Sequence, residues 1–317
     1  MKRIATLLLA LVAATAHAQT YPAKPVKILV PFVAGGASDY VARAVAQKLN
    51  EVGYTAVVDN RPGANGSIAA EALAKSPPDG YTLMVGSIGT FAINMSMYKN
   101  SRYDTMRDFD AITVAVRTPN VLITHPNFPA NSVKEFIDYA KMNPGKISYG
   151  SSGAGSSDHL SAELFKQQTG TFGVHVPYRG GAAAQIDLMA GNIEASFQNF
   201  GSVVPFIRAG KMKALAVTSK ERMPQLPNVP TAIESGLAGF EVTSWQAVAV
   251  PKGTPKEIID KLQADIAKGF RTPDLTQRFT AQGFEIVVNT PAEASVFFKE
   301  EIDRWAKVVK VSGAMVD

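Results

Sequence analysis

The chain is 317 residues long, 46% hydrophobic and 19% charged, with a formal net charge of +5 and no cysteine. That much apolar sequence excludes a disordered chain and suffices for one large core or two ordinary ones, two domains being the expectation at this length. Without cysteine there is no disulfide framework, thiolate zinc site, thiol nucleophile or cysteine-linked lipid.

Met1-Lys-Arg3, the apolar run Ile4 to Ala14 and the small-residue stretch Ala16-His17-Ala18 follow the order of a secretory signal peptide, so the mature chain is expected to start near Gln19. The run is shorter than the roughly 20 apolar residues that span a bilayer, and no later segment qualifies. A periplasmic protein that does not itself span the membrane is expected. Removing Lys2 and Arg3 with the leader lowers the net charge from +5 to +3. The remaining basic residues are scattered, so no nucleic-acid partner is expected.

From Val26 onward, short β-branched runs alternate with amphipathic runs of about ten to fifteen residues, the pattern of parallel strands covered by helices. The first unit is Val26 to Phe32, the turn Val33-Ala-Gly-Gly-Ala-Ser-Asp39, and a helix with Val41, Val45 and Leu49 on one face. Ala56 to Asp59, the turn Arg61-Pro-Gly-Ala-Asn-Gly66 and a helix from Ser67 to Lys75 form the second, and Pro77-Pro-Asp-Gly80 turns into the strand Tyr81 to Val85. Strands Ala111 to Val116 and Val121 to Thr124 then lead into a helix opened by Ser132 and Glu135 at capping-box spacing.

The middle of the chain reads as strand Lys146 to Tyr149, the loop Gly150-Ser-Ser-Gly-Ala-Gly-Ser-Ser-Asp158, and a helix with Leu160, Leu164 and Phe165 inward. Strand Gly173 to Pro177, turn Arg179-Gly-Gly181, helix Ala182 to Ala190, strand Glu194 to Gln198, a short helix through Ile207 and strand Lys213 to Thr218 follow. Pro224 to Gly239 is a turn-rich connection, and Trp245 to Val250 is again a strand. Thr254-Pro-Lys-Glu257 and Thr290-Pro-Ala-Glu293 each open a helix with proline at the first helical position, and Gly313 closes the second. The tail holds too few strands for a third domain and is expected to pack back on the first. The expected fold is a discontinuous two-domain α/β protein, with 19–120 plus 241–317 as one domain and 121–240 as the other. The chain crosses between them near 118–124 and 240–248.

Both domains contain strand, glycine-rich turn, hydroxyl or carboxyl residue, helix. Such turns lie where open α/β sheets bind ligands, at the carboxyl ends of strands. Each offers free backbone N–H groups at a helix N-terminus carrying about half a positive charge, and glycine lets a ligand approach closely. A carboxylate would be held from both sides. The bland alternative is that Ser38, Asp39, Ser156 and Ser157 serve only as turn and cap residues. Ser87-Ile-Gly-Thr90, Tyr178-Arg-Gly-Gly181 and Gln198-Asn-Phe200 occupy analogous strand ends, with Arg179 either an ion-pairing clamp or a solvated side chain. Phe32 falls where its strand emerges, facing either a cleft or the core.

Enzyme chemistry is poorly supplied. A nucleophile elbow centred on Ser152 would need glycine at 154, which is Ala154. His159 suits a surface or capping role and His175 a packed strand position. Neither a phosphate-binding loop nor a complete G-x-G-x-x-G is present, and His125, His159 and His175 lack metal-ligand spacing. No cofactor and no metal are expected.

The stretches YPAKPVKILVPFVAGGASDYVARAVAQKL, VVDNRPGANGSIAAEALAKSPPDGYTLMVGS, ISYGSSGAGSSDHLSAELFK, HVPYRGGAAAQIDLMAGNIEASF and LPNVPTAIESGL resemble the periplasmic solute receptors of tripartite tricarboxylate transporters, the Bug proteins. The resemblance runs from about Tyr21 to Gly313 in the right order. It implies a two-lobed periplasmic binding protein of type II-like architecture, monomeric, closing on a small organic carboxylate and delivering it to integral-membrane subunits. Carried over residue by residue, it places the solute against Gly36, Ala37, Ser38 and Asp39 on one side and Ser151, Ser152, Gly153, Ser156 and Ser157 on the other. Phe32, Ser87, Thr90, Tyr178, Gly181 and Asn199 are further candidates. Ser38 stands where many relatives carry threonine, which leaves the hydroxyl in place.

The expectation is therefore a solute receptor, not an enzyme, for a mono- or dicarboxylate whose size is set by side chains such as Phe32, Phe91, Phe200 and Trp245. The alternatives are a serine hydrolase built on the 150–158 loop and a solute sensor feeding a signalling partner.

Overall fold

The computed structural model describes residues 21–315, so the signal-peptide reading lies outside the described residues. Ten strands form a continuous sheet: β1 (Val26–Val30), β2 (Ala56–Asn60), β3 (Thr82–Ser87), β4 (Phe109–Thr124), β5 (Ser148–Ser151), β6 (Val174–Pro177), β7 (Ala195–Asn199), β8 (Lys213–Val217), β9 (Thr243–Pro251) and β10 (Glu285–Ile286). Around it run α1 (Ala37–Glu51), α2 (Ser67–Ala74), α3 (Asn94–Met97), α4 (Thr105–Asp108), α5 (Val133–Met142), α6 (Ser157–Thr169), α7 (Gly181–Ala190), α8 (Phe200–Arg208), α9 (Lys256–Phe270), α10 (Pro273–Ala281) and α11 (Pro291–Ser312).

The α/β class is as expected, and the sheet is mixed. Its order is β2-β1-β3-β9-β4-β7-β5-β6, with β8 and β10 also pairing with β4. The ladders of β1 with β2 and β3, and of β5 with β6 and β7, are parallel, as helical crossovers require. β9 runs antiparallel to β3 and β4, and β4 runs antiparallel to β7 and β8.

β4 is one strand where two were expected. Its residues 109–119 pair with β9 and its residues 120–124 with β7 and β8, so the apparent break at Arg117-Thr-Pro-Asn120 marks a change of partner. Pro119, which has no N–H to give, lies at that junction, where the ladder to β9 ends at Thr243. Thr218 holds the return crossing beside it. Its N–H donates to Asn120 O (2.9 Å), its hydroxyl donates to Val242 O (2.5 Å), and its carbonyl accepts the Val242 N–H (3.0 Å).

The largest apolar cluster joins Phe91, Trp245, Phe298 and Trp305 to Phe136, Phe165, Phe197 and Phe240, across the point where β4 changes partners. The tail packs back on the first half, where Phe298 stacks near Phe91 (5.0 Å between centroids), and α11 also reaches the second, where Gln167 Nε2 on α6 donates to Val308 O (3.3 Å). The buried Glu301 carboxylate accepts from both tryptophans of the chain, Trp245 Nε1 at 2.8 Å and Trp305 Nε1 at 3.1 Å.

Two tail details differ from expectation. α9 is capped at Pro255, not Thr254, whose hydroxyl donates to Pro251 O instead. A third tail helix, α10, escaped notice because only Leu275 and Phe279, one turn apart, are buried along it. The Thr290 expectation holds: Thr290 and Glu293 form a reciprocal capping box with Pro291 at the first helical position. Thr290→Ala removes that cap and should lower the unfolding free energy by about 1 kcal/mol in urea denaturation, with the slope unchanged.

Candidate functional site

The chain leaves β1 through Pro31 and Phe32 and enters α1 over an N-cap, Gly36, that has no side chain to give. Capping would ordinarily satisfy the first-turn N–H groups, so those of Ala37 and Ser38 are left without an intrahelical partner. Asp39, 3% exposed, holds the loop in shape. Its carboxylate accepts from Gly35 N (2.9 Å), Arg43 Nε (2.9 Å) and Asn60 Nδ2 (3.0 Å), and the Asn60 amide also donates to Phe32 O (3.0 Å). Burial alone would raise this carboxyl, but the hydrogen bonds from Arg43, Gly35 and Asn60 outweigh it and keep it below the usual range.

The loop after β5 repeats the device. Asp158, in the first turn of α6, accepts from Ser152 N (2.6 Å), Ser152 Oγ (2.7 Å) and Gln198 Nε2 (3.2 Å). It is deeply buried, and burial pushes its carboxyl up. Ser156 caps the helix, accepting from His159 N at 3.4 Å while its hydroxyl donates to Gly153 O at 2.6 Å.

Beneath this loop lie two stacked imidazoles, with His159 and His175 centroids 3.7 Å apart and planes 17° apart. Of the surface or capping roles expected for His159, the surface one fails, for the residue is buried and its Nδ1 accepts the Gly155 N–H (3.1 Å); His175 Nε2 lies 2.6 Å from Ser151 Oγ. Burial lowers His159 to about 3, helped by His175 and Lys166, and lowers His175 to about 4. Both rings are neutral at pH 7.

The two halves meet at the Gly/Ser loop. A Cβ on Gly155 would sit 2.6 Å from Asn65 Nδ2, and one on Gly89 would sit 3.0 Å from Gly155 O, so only glycine permits this approach. Asn65 holds a positive φ of 47°, fixed by Asn94: Asn65 Nδ2 donates to Asn94 Oδ1 (2.9 Å) and Asn94 Nδ2 donates back to Asn65 O (2.9 Å).

Several expected ligand contacts have other work. Thr90 is fully buried, and its hydroxyl donates to Asn65 O (3.4 Å), supporting that turn instead of lining a cleft. The Ser152 hydroxyl is committed to Asp158, and Ser151 is 1% exposed. Tyr178 donates to Asp187 (2.6 Å), and Asn199 donates to Asn120 (2.7 Å) and Ser157 (3.4 Å). Gly181 packs where a Cβ would meet Gln198 Oε1 at 2.6 Å and Ser152 Oγ at 3.0 Å. Phe91, Phe200 and Trp245 are fully buried core residues and cannot set the size of a guest. Phe32 differs from them: half-buried, it lies outside all three core clusters. Gly36, Ala37, Ser38, Ser87, Gly153 and Ser157 lie at the loop ends, Ser38 and Ser157 themselves buried, and Arg179 is exposed.

Sequence reasoning passed over Asn65, Asn94, Asn120 and Gln185, which carry the polar scaffold behind the loops. Gln185 Nε2 reaches Gln198 Oε1 (3.2 Å) and Ser202 Oγ (3.0 Å), and Asn120 Nδ2 reaches Ser161 Oγ (3.0 Å). Only the Asn65-Gly66 turn signal could have drawn notice to one of them. Among the described residues no group of three or more histidine or acidic side chains could hold a metal ion. An open groove of about 760 Å³ runs between α1 and the edge strand β2, lined by Arg43, Gln47, Asn50 and Val57. It lies apart from both glycine loops.

A family model described as "Tripartite tricarboxylate transporter family receptor" matches residues 41–314. The chain is 37% identical over 305 residues to Protein BugT of Bordetella pertussis, covering 96% of this chain and 94% of BugT. Among solved structures it is similar to an R. palustris protein with adipate (38% identity, TM-score 0.87, covering 92% of this chain and 98% of that one). It is also similar to MatC from Rhodopseudomonas palustris with bound malate (31% identity, TM-score 0.85, covering 91% and 100%).

Because the folded chain keeps both imidazoles neutral while an unfolded one protonates them near 6.5, stability rises with pH between about 4 and 6.5 and is lost on acidification through that window. His175→Gln should remove about 1–2 kcal/mol of the pH 7 to pH 5 difference in unfolding free energy. Urea denaturation of both proteins at the two pH values measures it, and an unchanged difference would show that the ring is not held neutral.

Proposed function

The chain belongs to the tripartite tricarboxylate transporter receptor family, and from that membership we propose a periplasmic solute receptor that binds a small organic carboxylate between two lobes and delivers it to the membrane subunits of such a transporter. The lobes are 19–120 plus 241–317 and 121–240, with the hinge at Asn120, Thr218 and Val242. The N-terminal leader directs export, and no described helix is long and apolar enough to cross a membrane. The chain is monomeric and performs no chemistry on its solute.

One observation carries this reading: two helix starts, on α1 and α6, each follow a loop braced by a buried aspartate through a backbone N–H. The brace fixes each loop; at α1, whose N-cap Gly36 offers no side chain, the first-turn N–H groups then present partial positive charge to an anion, while at α6, where Ser156 caps His159 N, the helix dipole and loop amides do so. Amide and hydroxyl donors suit release as well as capture, because they bind less tightly than a desolvated guanidinium pair would. The bound adipate and malate of two similar structures are anions of this kind.

A hydrolase fits less well. Ser152 faces a carboxylate and not a histidine, while Ser151, which does meet His175, is buried and already accepts the Gly153 N–H (3.1 Å).

In ligand-stripped protein, a carboxylate panel including adipate and malate should contain a member that raises the melting temperature by several degrees at saturating concentration. Ser38→Ala should weaken that ligand about tenfold by calorimetry, as the loss of one hydrogen bond to a charged group predicts, without lowering the unliganded melting temperature. A panel producing no shift would remove the receptor reading.

A further inference from the structure

Along β9, Trp245, Ala247 and Ala249 belong to the apolar cluster on one face of the sheet, whereas Val248 and Val250 join Val41 and Val45 of α1 on the other. Strand alternation places Gln246 with the second set, on the α1 face. It pairs directly with Ser87, the last residue of β3, and with Val116 of β4. Ser87, Gln246 and the first turn of α1 thus share one face and one end of the sheet.

Gln246 is 1% exposed, and its Oε1 is buried without a hydrogen-bond partner;. The other amides around the loops are all engaged, at Asn60, Asn94, Asn120, Gln185, Gln198 and Asn199. Buried amides are rarely left unpaired in a native fold, and one that is so at the carboxyl end of the strands, beside an uncapped helix start, has the properties of a ligand contact.

We infer that Gln246 is a specificity-determining residue that selects a hydroxylated carboxylate over its unsubstituted counterpart. This deepens the receptor reading and rests on it. The carboxylate group goes to the α1 N–H groups and the Ser38 hydroxyl, and the primary amide beneath offers an acceptor and two donors to the neighbouring part of the solute. A hydroxyl group satisfies both kinds, donating to Oε1 and accepting from Nε2. A methylene offers neither and leaves the amide unpaired, the circumstance in which hydroxyl-recognising sites discriminate most strongly.

The test is calorimetry on ligand-stripped protein with three matched pairs: malate and succinate, lactate and propionate, mandelate and phenylacetate, plus adipate. In any pair that binds, the hydroxy acid should bind about tenfold or more tightly than its partner. Gln246→Met, close in volume, should bring that ratio to within about twofold. The wild-type ratio is a readout that needs no variant: equal affinity within a binding pair overturns the assignment, as does a ratio that survives Gln246→Met. Binding of an unsubstituted acid as tightly as its hydroxy partner, or of adipate with none of the hydroxy acids, overturns the role of Gln246 alone. Failure of all seven acids to bind overturns the receptor reading with it.

Discussion

A carboxylate buried in the first turn of a helix, accepting a backbone N–H from the loop before it, occurs at Asp39 and again at Asp158. Burying such a charge is costly unless hydrogen bonds replace its water, and each aspartate has three such bonds from protein groups. What the arrangement secures is shape. Glycine-rich loops lose much conformational entropy on ordering, and the aspartate holds each one in a single form. At α1 the anion-attracting end of the helix is left open, because Gly36 cannot cap it and Asp39 is turned toward the loop.

Behind these loops the scaffold is polar and closely paired, and the two loops rest on different supports. The first rests on Asn60, which joins Asp39 to the Phe32 carbonyl. The second rests on the stacked imidazoles, with His159 taking the Gly155 N–H and His175 meeting Ser151. This pairing lasts only while both rings are uncharged, since two imidazolium ions at that spacing would repel. The second loop is therefore the more acid-sensitive of the two.

The connection between the halves constrains any motion between them. β4 runs through unbroken, Thr218 ties the return strand to it, and the largest apolar cluster continues across the junction under α11. Movement about such a junction has to pivot on a packed core, which favours a small number of discrete arrangements over free swinging. At the opposite end, Gly155 approaches Asn65 and Gly89 with a closeness that only glycine allows.

Periodicity and turn chemistry in the sequence determined the α/β class, most of the strands and the longer helices other than α10, and the two loops, because alternation of short β-branched runs with amphipathic ones and clusters of glycine and serine are local signals. The Thr290 capping box was legible for the same reason, whereas Thr254, with a similar pattern, turned its hydroxyl to Pro251. Roles fixed by distant partners were not legible. Nothing local distinguishes Phe32 at a loop end from Phe91, Phe200 and Trp245 in the core, or the hydroxyl of Ser38 from that of Ser152, whose acceptor is Asp158. The stacking of His159 on His175, the bridging by α11 and the unpaired amide of Gln246 all bring together residues far apart in the chain. Their pairing depends on strand register and on which face each helix presents, and the tertiary structure alone decides these.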